Sequence, residues 1–223
     1  MTGLSIPPDA ESQVDEMSST CAVARCARLL AAGGVAAIPT DTLYGLAASI
    51  RAPEAVARIL GIKTRDPGAG IPVLVESAAQ AGEIADISPE ARRLARAFWP
   101  GAVTLVLPAR SGVDRRLLGP GGTVGVRVPA SGIVRDLIRL VGAPLTGTSA
   151  NLHNQPPPMT AQAAADAVGH VVDLVLDGGP GAGAPSTVID LAQDPPLILR
   201  NGAVDAPTIQ AVVPAVRPSV DAG

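Results

Sequence analysis

The cations of this chain are chosen unevenly. Seventeen residues are Lys or Arg, and only one of them is Lys. That residue, Lys63, stands two positions before Arg65. A compact ammonium next to a planar guanidinium suits a phosphate-bearing ligand, which takes charge from the first and paired hydrogen bonds from the second. A solvated charged face at a helix end would use the same pair, because the last turn of a helix favours cations. Thr40-Asp41-Thr42 ends an apolar run with two hydroxyls and a carboxylate, able to receive a polar small molecule or to cap the next turn. Ser149 and Asn151 share a face if the backbone stays extended, and can hold phosphate or ribose oxygens; an Asx turn is the alternative. Arg127 alternates with Val124, Val126 and Val128 beside Gly125, a cation placed for a carboxylate partner unless the strand is a solvated edge. Ser186 and Thr187 follow a glycine-rich run, and Arg200 closes the last apolar segment. That run is no P-loop, since no Gly-Lys-Ser/Thr follows it. With His153 and His170 as the only histidines, no Ser-His-Asp arrangement is available. The polar inventory suits positioning and charge stabilisation, as in nucleotidyl or phosphoryl transfer.

The elements that must position these groups alternate between helix and strand. Helices are predicted from a cap at Ser18–Thr20 to Gly33-Gly34, and over 53–62, 78–85, 88–98, 133–141, 160–168 and 205–213. Short apolar strands are predicted at 35–38, 71–75, 103–107, 123–128, 144–148, 173–177, 186–190 and 197–199. The pattern reads as one α/β domain over 19–213, a twisted open mixed sheet with flanking helices. Residues 1–18 read as a disordered lead and 214–223 as a frayed tail. Polar groups then gather at strand ends, where such sheets bind ligands.

Composition narrows the alternatives. Aromatic residues are 1% of the chain while apolar residues are 47%, so the core must be filled by Ala, Val, Leu and Ile, with Phe98-Trp99 the single bulky pair. The net charge of −3 supplies no global basic field, so any tRNA or nucleotide contact must be local. Cys21 and Cys26 fit neither a disulfide framework nor a zinc site and read as buried or half-buried thiols. The acidic N-terminus is no secretory signal, and no apolar run approaches the roughly 20 residues needed to span a bilayer. The expected location is the cytoplasm.

Several stretches, in order, resemble the YrdC-like family of threonylcarbamoyl-AMP synthases. They are Pro39-Thr-Asp-Thr-Leu-Tyr-Gly45, Lys63-x-Arg65, Phe98-Trp-Pro-Gly101 with Thr104–Leu107, and Thr123-Val-Gly-Val-Arg-Val-Pro129. Ser149-Ala-Asn151, Asp177-Gly-Gly179, Ser186-Thr-Val-x-Asp190 and Leu199-Arg-x-Gly202 follow. The resemblance implies a twisted α/β sheet with a positively lined concave cavity. It also implies an enzyme that joins L-threonine, bicarbonate and ATP into threonylcarbamoyl-adenylate and pyrophosphate, for modification of an adenosine in tRNA. Lys63, Arg65, Ser149 and Asn151 match the catalytic tetrad of the family. Thr42, Arg127, Ser149 and Ser186 match threonine-binding positions, and Arg65, Thr123, Asn151 and Arg200 ATP-binding ones. Mg2+ would travel with ATP, with no protein metal site, and downstream tRNA-modification proteins would be partners. The chain resembles the short form, which lacks a further C-terminal domain.

The sequence departs from that pattern after Arg65. Asp66 stands where the family has Pro, Pro67–Gly70 is about two residues longer, and Ile71 precedes Pro72. Glu76 occupies a place where some members carry a threonine-contacting His, and Asn201 follows Arg200 in place of Pro. On the resemblance, Ile71 loses an ATP contact and Glu76 adds a carboxylate near threonine. That leaves a non-catalytic RNA- or nucleotide-binding paralogue as the alternative.

Overall fold

The computed structural model describes residues 14–15, 20–63, 70–152 and 155–218. Seven helices and eleven strands appear among them. The expected α/β architecture is observed, but the strands fall into two mixed sheets rather than one.

The first sheet is built on β2 (Ala36–Pro39) and β3 (Tyr44–Ala47), an antiparallel pair in register from Ala36 opposite Ala47 to Pro39 opposite Tyr44. Beside β2 lies β9 (Leu174–Leu176), running parallel, and beyond it β1 (Val14–Asp15). On the far side, β3 pairs antiparallel with β8 (Thr148–Ser149). The second sheet runs in the order β11 (Leu197–Arg200), β10 (Thr187–Asp190), β5 (Val103–Pro108), β6 (Thr123–Arg127), β4 (Val73–Leu74), β7 (Leu145–Thr146). Sequence patterning missed β3, because Tyr44-Gly-Leu-Ala47 is buried on both faces and so shows no alternation. It also placed Val14–Asp15 in a disordered lead and let the tail fray from 214, whereas β1 pairs with β9 and Val216 is buried. The Arg217 N–H donates to the Pro196 carbonyl at 2.8 Å.

A single strand was expected over 144–148. The structure breaks it at Gly147, so that β7 joins the second sheet and β8 the first. A side chain at Gly147 would drive its Cβ to 2.5 Å from Leu74 Cγ, so glycine lets the chain step between sheets here without displacing Leu74. Thr146 fastens the step. Its buried hydroxyl accepts from the Ala48 N–H at 2.9 Å and donates to the Leu46 carbonyl at 3.1 Å.

The helices form where their caps allow. α1 (Thr20–Ala31) ends as Gly33, at φ 88°, lets the Gly33 and Gly34 N–H groups reach back to the Leu30 and Leu29 carbonyls. Its inward face of Ala22, Cys26, Ala27 and Leu30 packs with Val134, Leu137 and Ile138 of α5 (Gly132–Val141) over the first sheet. Cys26 is buried as expected, but Cys21 is exposed. α2 (Pro53–Lys63) carries Lys63 in its last turn. Ser77 caps α3 (Ala78–Ile84), and Ser88, with Pro89 at the first position, caps α4 (Pro89–Phe98). Both cover the second sheet in one large aliphatic core with Leu105, Leu107, Val124 and Val126. α6 (Ala161–Val168) and α7 (Ala206–Val212) are capped by Thr160 and Asp205.

The turn after β11 folds back on the start of β10 so closely that a Cβ at Gly202 would overlap the Pro185 carbonyl and the Ser186–Thr187 peptide. Backbone cannot give way as a flexible side chain can. Gly202→Ala is therefore expected to destabilise the protein by about 1–3 kcal/mol. In a chain of this size that lowers Tm by roughly 2–4 °C per kcal/mol, read by calorimetry. An unchanged Tm would show that this turn has slack.

Candidate functional site

Where the two sheets meet, strand ends from both surround a cavity of about 260 Å³. Its lining includes Thr42, Tyr44, Arg127, Ser149, Ser186 and Arg200, with no acidic side chain among the described residues. A cavity this small is below the roughly 300–1,000 Å³ of sites that enclose drug-sized ligands, and fits an amino acid or one portion of a larger substrate.

Arg127 leaves β6 on the face opposite Val124 and Val126, as the alternation predicts. Its side chain is 7% exposed. Nε donates to the Gly101 carbonyl at 2.8 Å and Nη1 to Thr42 Oγ1 at 3.0 Å. Nη2 lies 2.7 Å from Asp41 Oδ2, an ion pair that completes the setting of the guanidinium. Burial pushes the guanidinium below its ordinary arginine pKa, and the Asp41 carboxylate opposes that shift. A buried guanidinium on a cavity wall is a candidate receptor for a carboxylate.

Thr42 is placed by its neighbours. Thr40 Oγ1 accepts from the Thr42 and Leu43 N–H groups, both at 3.2 Å, and donates to the Leu43 carbonyl at 2.6 Å, closing the turn between β2 and β3. The triplet therefore does both jobs considered for it, with Thr40 capping and Thr42 facing the site. The glycine-rich segment after β9 crosses over Thr42, where the Gly183 N–H donates to the Thr42 carbonyl at 3.0 Å. Tyr44 anchors that segment by donating to the Gly179 carbonyl at 2.9 Å and to Asp177 Oδ1 at 3.3 Å. Burial raises the Tyr44 pKa, a backbone bond from Gly178 opposes this and Asp177 adds to it, so the phenol stays neutral and can donate.

Ser186 sits at the start of β10, its Oγ 2.9 Å from Thr104 Oγ1 and 3.0 Å from Arg200 Nη2. Arg200 also donates through Nε and Nη2 to the Ser186 carbonyl, at 3.1 and 2.9 Å. Thr104 was not singled out from sequence. Its hydroxyl sits within an apolar strand pattern, and only the parallel pairing of β10 with β5, which sets Val188 opposite Thr104, brings it within reach of Ser186.

Lys63 is 5% exposed. Its Nζ donates to the Ser149 carbonyl at 3.0 Å, the Asn151 carbonyl at 2.8 Å and Asn151 Oδ1 at 2.7 Å, with Ser149 Oγ at 3.4 Å. Ser149 Oγ in turn donates to Asn151 Oδ1 at 2.6 Å, and Asn151 Nδ2 to the Gln155 carbonyl. Lys63, Ser149 and Asn151 thus form one buried cluster, and Ser149 joins it to the cavity. Arg65 lies outside the described residues, as do Asp66 and Pro67. Thr123 is at the other end of β6, four residues or roughly 13 Å from Arg127. It does not line the cavity, and its hydroxyl donates to the Pro120 carbonyl at 3.0 Å.

Two residues that depart from the family pattern do not line the cavity. Ile71 is a buried core residue. Glu76, expected near the threonine position, instead pairs with Arg139 at 3.0 Å and borders a separate groove of about 1000 Å³ between α3, α4 and the second sheet.

Residues 28–202 match the model of the Sua5/YciO/YrdC family, described as "Telomere recombination". The chain belongs to that family. It is 38% identical over 187 residues to a threonylcarbamoyl-AMP synthase of Pyrococcus abyssi, a match covering 83% of this chain and 55% of that protein. A Bacillus subtilis threonylcarbamoyl-AMP synthase is 36% identical, covering 89% and 59%. The structure of P. abyssi Sua5 complexed with L-threonine superposes with a TM-score of 0.84 at 36% identity, over 88% of this chain and 58% of that one. The chain therefore spans between half and two thirds of the length of these relatives.

Replacing Lys63 by Met leaves the Ser149 and Asn151 oxygens buried without their donor. A loss of about 1–3 kcal/mol is expected from the urea midpoint. An unchanged midpoint would show that the ammonium does not hold this turn.

Proposed function

We propose that this chain is a threonylcarbamoyl-AMP synthase of nucleotidyltransferase type, and that the 260 Å³ cavity receives L-threonine. The observation that carries the reading is the Arg127 guanidinium, buried, aimed by the Gly101 carbonyl and Thr42, and lining the cavity. The threonine carboxylate pairs with that guanidinium. Thr42, Ser149 and Ser186 stand within the same lining to meet the substrate's hydroxyl and amine side. The names of the relatives, and the threonine bound to P. abyssi Sua5, support the same substrate.

The reaction needs no covalent nucleophile from the protein. The neutral amine of threonine adds to the bicarbonate carbon with loss of water, giving a carbamate. A carbamate oxygen then attacks the α-phosphorus of ATP, the bond to the β-phosphate oxygen breaks, and pyrophosphate leaves with that electron pair. The protein contributes alignment and positive charge where negative charge gathers. Arg200, at the Ser186 edge of the cavity, is placed for the nucleotide. Lys63 fixes Ser149 and Asn151 and adds its own charge behind them. Arg65 and Thr123 complete the proposed ATP contacts, with Thr123 on the same face of β6 as Arg127 and farther along it. Mg2+ is proposed to enter with ATP, held by phosphate and water oxygens. Among the described residues no group of three His, Cys, Asp or Glu could ligate a metal. Delivery of the product to tRNA, and to the proteins that modify it, completes the proposal. No helix among the described residues is long and apolar enough to cross a membrane.

Incubation with ATP, bicarbonate and labelled threonine should release pyrophosphate only when all three are present. Lys63→Ala should lower that release at least roughly tenfold, the scale of a lost electrostatic stabiliser. Release indifferent to threonine or bicarbonate would overturn the substrate assignment. Arg127→Ala should raise the threonine KM by roughly tenfold or more and leave the ATP KM within about twofold, since a charge-assisted bond is worth about 1.5–3 kcal/mol. Equal effects on both substrates would remove Arg127 from the carboxylate.

A further inference from the structure

Among the described residues Asp41 pairs only with Arg127, and its side chain does not close its own turn. The turn between β2 and β3 is closed by the Thr40 hydroxyl, which takes the Thr42 and Leu43 N–H groups that an aspartate often takes in such turns. Asp41 Oδ2 meets Arg127 Nη2 at 2.7 Å, while Asp41 Oδ1 is buried with no hydrogen bond. Burying a carboxylate with an unpaired oxygen is costly, and nothing in the local backbone recovers that cost. Asp41 also stands outside the cavity, whose lining holds Arg127 and Arg200 and no acidic side chain among the described residues. Its charge therefore acts on the cavity from behind, through Arg127.

We propose that Asp41 is a specificity-determining residue: by offsetting the charge of Arg127 it makes one end of the cavity nearly electroneutral, so that this end admits an amino-acid zwitterion and refuses phosphate. The proposed reaction brings bicarbonate, a triphosphate and a zwitterion into one positively lined site. A lone buried guanidinium would hold a phosphate at least as well as a carboxylate, since both offer it paired oxygens. A fixed carboxylate a few ångströms behind it repels a polyanion in proportion to that anion's charge, and repels a net-neutral zwitterion least. Discrimination of this kind depends on an element that opposes the wrong ligand, and Asp41 supplies it. The geometry of the guanidinium is held separately, by the Gly101 carbonyl and Thr42 Oγ1. Removing the negative charge thus alters the field at the subsite while two of the acceptors that aim Arg127 remain.

The inference rests on the threonine reading for its occupant, and the test separates the two. Calorimetric titration with inorganic phosphate and with L-threonine is made on the wild-type chain, Asp41→Asn and Asp41→Glu, with thermal melts to confirm folding. Asp41→Asn is expected to bind phosphate about tenfold tighter than wild type, in competition with threonine, and to bind threonine itself a few-fold tighter. Asp41→Glu restores the charge and should stay close to wild type in phosphate affinity. The phosphate site gained in Asp41→Asn should vanish in the Asp41→Asn/Arg127→Ala double variant. Loss of threonine binding in Asp41→Asn with no gain for phosphate would overturn the proposal and leave Asp41 a purely structural support. Equal phosphate affinity in wild type and Asp41→Asn would overturn it whether or not threonine binds. Absence of threonine binding to the wild type would instead sink the synthase reading, and the phosphate arm would still judge the charge argument. If Asp41→Asn does not fold, Asp41→Ser carries the same comparison.

Discussion

A buried guanidinium is the constraint around which this molecule is arranged. Desolvating Arg127 is unfavourable unless its donors meet acceptors in fixed places. Those acceptors come from two separate parts of the chain: the Gly101 carbonyl before β5, and the Thr42 hydroxyl and Asp41 carboxylate in the turn after β2. Gly101 is held in turn by its N–H on the Val128 carbonyl at 2.9 Å. A cation satisfied in this way joins the two sheets at the point where the cavity opens, so folding and ligand recognition draw on the same contacts.

The second sheet delivers Arg127, Thr104 and Ser186, while the first delivers Thr42, Tyr44 and Ser149. The crossing at Gly147 is what lets a single short segment serve both sheets. Thr146 stitches the strands on one side of it, and Ser149 and Asn151 hold Lys63 on the other. Lys63 is thus a buried strut under the loop that carries Ser149, besides the charge proposed for it in the reaction. A lone Lys in an Arg-rich chain suits this place, because a compact ammonium can donate to several oxygens around a point and a planar fork cannot.

Much of the secondary structure was legible because each signal was local. Ser88-Pro89 starts α4, Gly33-Gly34 ends α1, and the Val124, Val126, Val128 alternation puts Arg127 on the opposite face. Elements decided by remote partners were not legible. β3 is a strand because β2 and β8 flank it, and β1 because β9 lies beside it. Glu76 looked like an added carboxylate at the substrate, yet Arg139 on α5 draws it to another surface. Thr123 and Arg127 share a strand face, but strand rise separates them by roughly 13 Å, and only Arg127 lines this cavity.

The sequence by itself determined residue types, local caps and alternation, and through them the α/β class, the family and the set of polar side chains available to a ligand. Those features depend on neighbours within a few positions, and chain order preserves them. The tertiary structure alone decided which polar groups share a space, since contacts such as Arg127 with Thr42 or Lys63 with Asn151 join residues 85 and 88 positions apart. It also decided how their charges are offset. Whether Asp41 caps its own turn or neutralises a distant guanidinium depends on what the fold brings against it, and local spacing carries no record of that.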